Sequence, residues 1–264
     1  KGFMATIGRS CQLTVCLAIT LAGWPSASFS QSVVKPDDAE ALYRDRANLD
    51  SAKRAAALWS ARATSDFDSA WKLARISYWI GKHGPNAERR PALEHGIAAG
   101  ETAVRLMPDR PEGHFWLAAD MGALAESSGI RDGLKYRGRI KSELERVIAI
   151  DPDWQEDSAD AALGQWYFEV PRIFGGSRAK AEERLQYVLR RFPQSKTALS
   201  FLADVVAADG RLDEARALLG RVLAAPVDPD WAPEDRDSQK AAADKLKEPG
   251  GDARLGFEPR HNQD

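Results

Sequence analysis

Hydrophobic residues along this chain recur with helical spacing, and no segment sustains the period-two alternation of a strand. Asp37-Asp38 predicts the cap of a first helix running to about Arg46. Asp50 or Ser51 starts a second, patterned by Ala55, Leu58, Trp59 and Arg62. In FDSAWKLARISYWI, Phe67, Ala70, Trp71, Ala74 and Tyr78 form one stripe, and Ile76 and Ile80 form another. A helix apolar on two sides packs on two sides. HGPNAERRPA then breaks the pattern. Ile97, Gly100, Val104 and Met107 mark a helix closed by Pro108, and another spans Glu112 to Ser127. Gly129 and Gly133 flank a loop, after which Ile140, Leu144, Val147 and Ile148 mark a helix closed by Asp151-Pro152.

The segment from Ala161 to Pro193 reads as two helices around an unusual turn. Ala162, Leu163, Trp166, Tyr167 and Val170 share one face, Pro171 stops the helix, and Gly175-Gly176 leads to Ser177 as N-cap. Ala181, Leu185, Val188, Leu189 and Phe192 pattern the second helix. Ala198, Phe201, Leu202, Val205 and Val206 predict a helix ending at Asp209-Gly210, with a mate marked by Leu212, Ala215, Leu218, Leu219 and Val222. A polar helix from Glu234 to Lys247 is expected to cap the array, since an end repeat has no neighbour to cover its face.

Several helices end alike: AVRLMP, VIAIDP, VLRRFP and, more loosely, VLAAPV. Measured at Ala103, Val147, Val188 and Val222, the intervals are 44, 41 and 34 residues, the last being the tetratricopeptide period. In that phase Leu199, Leu202, Ala203, Val206, Ala215, Leu219 and Val222 fall on the signature positions, with Ala203 and Ala215 where the helices cross most closely. The extra residues of the longer intervals fit at SSGIRDGLKYRG and VPRIFGGS, with a similar insertion at HGPNAERRPA. All three are expected in the turn between the helices of a pair. The fold class is therefore all-α, a tetratricopeptide-type α-solenoid of antiparallel helix pairs with inter-helix insertions.

The first thirty residues stand outside this scheme. Lys1 and Arg9 precede an apolar run from Cys11 to Trp24, too short to span a membrane, and Ser28 and Ser30 suit a signal-peptidase site before Gln31. We read residues 1–30 as a signal peptide starting at Met4, 31–248 as the repeat domain and 249–264 as a disordered tail, and expect a periplasmic or secreted protein. Both cysteines, Cys11 and Cys16, lie in the leader, so the mature chain lacks disulfides and thiolate chemistry. Leu21-Ala22-Gly23-Trp24 has the shape of a lipobox with Trp24 in the place of its cysteine, which argues against a lipid anchor. Loss of Lys1 and Arg9 takes the basic residues from 37 to 35 against 39 acidic ones, a net charge of −4 with no basic block. Nucleic acid is an unsuitable partner for such a chain.

Tyr78, Trp79, Phe115, Trp116, Trp166, Tyr167 and Phe168 cluster on the first helices of successive pairs. They read either as core or as the lining of a groove for a small apolar or organic-acid ligand or an extended peptide. Trp79 and Phe168, off the main stripes, are the stronger groove candidates. Gly175-Gly176 reads as a turn needing positive φ rather than as an anion nest. His83, His95, His114 and His261 have no ligand spacing, and no nucleophile elbow or catalytic triad pattern is present. No metal, cofactor or catalytic residue is therefore assigned.

GQWYFEVPRIFGGSRAKAEERLQ, in an exported tetratricopeptide context, resembles the T-component (TatT) proteins of TRAP transporter systems. The residues carrying the likeness are Tyr167, Pro171, Gly175, Gly176, Ala181 and Leu185. That resemblance implies a periplasmic helical protein that partners a solute-binding protein and has an apolar cleft, and that forms homo-oligomers in some members. The candidate binding residues are Tyr78, Trp79, Trp116, Trp166, Phe168, Pro171, Phe174, Gly175 and Gly176. Two other readings stand beside it: a general protein-interaction scaffold for envelope assembly, and an enzyme whose site is not recognisable.

Overall fold

The computed structural model describes residues 36–128, 130–156 and 158–247; the assigned leader and the assigned tail beyond Glu248 lie outside them. Among the described residues the chain forms eleven α-helices, one short 3-10 helix and no strand. The first two pairs are α1 (Pro36–Arg44) with α2 (Leu49–Ser60), and α3 (Phe67–His83) with α4 (Asn86–Leu106). Then come α5 (Pro111–Ser128) with α6 (Ile130–Ile150), α7 (Ser158–Glu169) with α8 (Arg178–Arg191), and α9 (Lys196–Ala208) with α10 (Leu212–Ala224). A final helix, α11, runs Ala232–Lys247.

Local chemistry sets the helix starts. Asn48, Asp66, Ser177 and Ser195 each accept a backbone N–H of the first turn through their side chains, supplying an acceptor that the helix itself lacks. The helix ends at Leu106, Ile150 and Arg191 fall two residues before Pro108, Pro152 and Pro193. Consecutive helices pack as antiparallel pairs, α3 also packs on α5, and α7 on α9. All seven signature residues, Leu199 to Val222, are buried, so the repeat phase read from the sequence is the phase of the core.

The insertions divide into two kinds. Only VPRIFGGS forms the expected turn, with the 3-10 helix Arg172–Phe174 inside it. The other two become helix. The α3–α4 turn is Gly84-Pro85 alone, and α4 runs for 21 residues with Pro91 inside it. Likewise α6 runs for 21 residues from Ile130. Pro91 lies in the second turn of α4, where its missing N–H removes a single bond near the helix start.

The terminal helix does more than cover the last repeat. It packs on α9 and α10. Lys245 Nζ lies 2.6 Å from Asp204 Oδ1 of α9, and Lys196 Nζ, at the start of α9, lies 2.8 Å from Asp235 Oδ2. Its first two turns also reach the opposite end of the array, at Arg46 and His83. Glu234 and Arg46 are 188 residues apart in sequence.

Candidate functional site

Arg46 follows α1 and is only 1% exposed, a position a guanidinium holds only when its charge and donors are matched. Nε donates to Glu234 Oε1 at 2.8 Å, and Nη2 pairs with Glu234 Oε2. Nη2 also donates to the Asp230 carbonyl at 3.0 Å, and Nη1 to the Tyr43 carbonyl at 3.2 Å. Burial works against the Arg46 charge, but the hydrogen bonds and field of Glu234 outweigh it and raise its pKa. The arrangement is a two-point carboxylate clamp.

Aromatic rings frame it. The Arg46 guanidinium lies 4.3 Å from the Tyr43 ring centroid and 5.6 Å from that of Trp79. Arg75, on α3, lies 3.7 Å from the Tyr43 ring and 4.8 Å from that of Trp71. Burial lowers the pKa of Arg75, and its Nε has no hydrogen-bond partner. Burial likewise raises the Tyr43 phenol to about 12, so it stays protonated at neutral pH. His83 stacks on Trp79 at 3.7 Å and faces Asp237 Oδ2 at 3.4 Å. Burial lowers its pKa, against the pull of Asp237.

This clamp is absent from the sequence-based site. Arg46 stood at a predicted helix end and Glu234 in a polar cap, and no local pattern links residues so far apart. Trp79, the leading groove candidate, must be corrected. It is 5% exposed, and its Nε1 donates to the Arg46 carbonyl at 2.6 Å, so it supports the clamp from behind rather than lining an open groove. Trp116 and Trp166 are corrected as well. Both are buried in the core, Trp166 with its Nε1 donating to the Arg137 carbonyl at 2.8 Å. A helix apolar on two sides buries even the residues between its two stripes.

Tyr78 and Phe168 are half-buried on the face that the first helices share. There Glu126 of α5 accepts from Lys82 of α3 at 3.1 Å and from Gln165 of α7 at 3.4 Å. These contacts link α3, α5 and α7. The depression lined by Lys53, Ile80, Glu88, Pro91, Ala92 and His95 includes none of the candidate aromatics.

Pro171, Phe174, Gly175 and Gly176 lie together in the VPRIFGGS turn, away from the clamp. Ile173 is 85% exposed at its tip, and Phe174 sits under the Arg137 guanidinium at 4.7 Å. The two glycines have different reasons. Gly175 has φ +102°, the left-handed region that L-residues avoid, whereas Gly176 has no such angle and is needed for space. Gly175→Ala should cost about 1–2 kcal/mol, read as a lowered urea midpoint with an unchanged slope.

Two buried polar groups also escaped the sequence reading. Asp120 of α5 is fully buried against Gly96 of α4, and neither carboxylate oxygen has a hydrogen-bond partner. Desolvation raises its pKa well above the usual carboxylate range. His114 lies between Glu143 and the Pro108 carbonyl, the latter at 2.9 Å. Burial opposes its protonation, but the Glu143 and Pro108 hydrogen bonds prevail and raise its pKa. This pair joins α5, α6 and the corner after α4. Among the described residues no group of three or more His, Cys, Asp or Glu is placed to hold a metal ion. No helix there is long and apolar enough to cross a membrane.

Fold and repeat phase define a tetratricopeptide-type α-solenoid. A tetratricopeptide-repeat family model matches residues 176–233. The family model described as regulator of microtubule dynamics protein 1-3 matches residues 37–182, more than half of the chain, and the chain belongs to that family. Among solved structures it is similar to a thermophilic tetratricopeptide protein of Thermus thermophilus. The match has a TM-score of 0.60 at 23% identity, over 80% of this chain and 97% of that one. No curated protein matches the chain.

Proposed function

We propose that this protein is an exported, non-enzymatic scaffold that docks a partner polypeptide on the inner face of its helix array. The observation that carries this reading is the face itself. Successive first helices present half-buried aromatics, with Tyr78 and Phe168 one turn from Lys82 and Gln165 of the polar bridge Lys82–Glu126–Gln165. Continuous surfaces with aromatic anchors and polar rims suit extended or helical polypeptides.

The test is native mass spectrometry of the chain purified from the cell envelope, beside a Tyr78→Ala/Phe168→Ala variant. The expected result is a mature chain lacking about the first thirty residues, joined by one polypeptide in fixed stoichiometry. The variant should lose that polypeptide while its circular dichroism spectrum at the temperature of the measurement remains that of the folded chain. A chain retaining only a small solute, or no partner at all, would overturn the reading. A second reading, pairing with a TRAP-type solute-binding protein, is favoured by the Pro171–Gly176 turn and its exposed Ile173. Identification of the co-purifying polypeptide decides between them.

A further inference from the structure

The carboxylate clamp at Arg46 is filled by the chain's own terminal helix, and the manner of filling says what else it accepts. The segment from Asp228 to Asp237, DPDWAPEDRD, carries five acidic residues and one arginine. Glu234 enters the clamp, Asp235 meets Lys196, and Asp237 faces His83. Trp231 packs half-buried against the cluster built from α1 to α5. An acidic turn with one aromatic anchor thus reads two cations, Arg46 and Lys196, and the imidazole of His83, contributed by both ends of the array.

The helix carrying this turn is held lightly by apolar burial. Ala242 is its one buried residue, and its remaining ties are polar: Lys245 to Asp204, and Gln239 Nε2 to the Ala225 carbonyl at 3.0 Å. Residues 226–229 before it are non-helical, with Pro226 and Pro229. Such a segment lifts away without unravelling the repeats, since neighbouring pairs supply the core. Incoming carboxylates at Arg46 and Lys196 would restore the bonds that Glu234 and Asp235 give up, so exchange leaves neither buried cation unpaired.

Resting on the docking role above, we propose that the Arg46 recess is the docking site for an acidic, aromatic-anchored segment of a partner protein, and that residues 228–237 are its resident competitor. Partner binding then requires displacement of α11, and the closed form is the low-affinity state.

The experiment uses the full chain and a fluorescent peptide of residues 226–240, PVDPDWAPEDRDSQK, followed by anisotropy. The recess is opened by Trp231→Ala/Glu234→Ala in the protein. The opened variant should bind the peptide at least about tenfold more tightly than the wild-type chain. A peptide carrying Glu234→Gln should lose about tenfold on the same opened protein, a comparison that leaves the fold of the protein untouched. Equal affinity for both protein forms, no binding to either, or indifference to the peptide's Glu234→Gln change would each overturn the proposal. A chain that holds a polypeptide in native mass spectrometry yet ignores this peptide sinks the competitor alone. The absence of any polypeptide partner sinks the docking role instead.

Discussion

Gly176→Ala should lower the thermal midpoint by roughly 10 °C or more, from a cost of about 3–5 kcal/mol. A Cβ on Gly176 would stand 1.6 Å from the Val170 carbonyl oxygen and 3.2 Å from that of Tyr167, both backbone atoms that no rotamer change can move. The turn would have to open. With it would go the bond from Ser177 N–H to the Tyr167 carbonyl, 2.7 Å, and that from Gly176 N–H to the Pro171 carbonyl, 3.2 Å. Those bonds set the start of α8, whose Ala181, Leu185 and Val188 are buried in the core. The damage should therefore extend beyond the turn into the α7–α8 pair. Differential scanning fluorimetry beside Gly175→Ala checks it. A shift no larger than that of Gly175→Ala would mean that the backbone relaxes locally.

Asp120→Leu should do the reverse and raise the thermal midpoint by roughly 3–10 °C at neutral pH, from about 1–3 kcal/mol of relieved desolvation. Leucine keeps the Cγ branch point of aspartate, and its two larger methyl groups face Gly96, which carries no Cβ. The pH dependence follows from the direction of the shift. The folded protein holds this proton more tightly than the unfolded chain, whose carboxyl titrates near its ordinary value of 3.8. Stability from this group is greatest at low pH and is lost as pH rises above that value through the raised folded pKa. The advantage of Asp120→Leu should thus be largest at neutral pH and shrink on acidification toward about pH 4. An advantage that grows on acidification, or a lowered midpoint at neutral pH, would show that the carboxylate has a stabilising partner.

Most of the architecture was legible because helix periodicity, caps and closing prolines act over a few residues. Ser177 was read as an N-cap from its place after Gly175-Gly176, and its side chain accepts the Lys180 N–H at 3.3 Å. The inserted lengths were legible too, but their conformation was not. A Gly-Pro pair and Pro91 looked like an extended break, whereas a proline within the first turns of a helix removes little. The candidate site was the least legible part. Trp79 fell off the main packing stripe, yet Arg46 and the His83 ring close over it.

By itself, then, the sequence determined an all-helical repeat, its phase, most helix ends and the place of the VPRIFGGS turn. Each is written in residues a few positions apart. Tertiary structure alone decided that the terminal helix returns to the first pair and that Glu234 fills the Arg46 clamp. It alone also buried Asp120 without a partner. These outcomes depend on how small rotations between successive helix pairs accumulate in space, and a local pattern of apolar and polar positions carries no record of that sum.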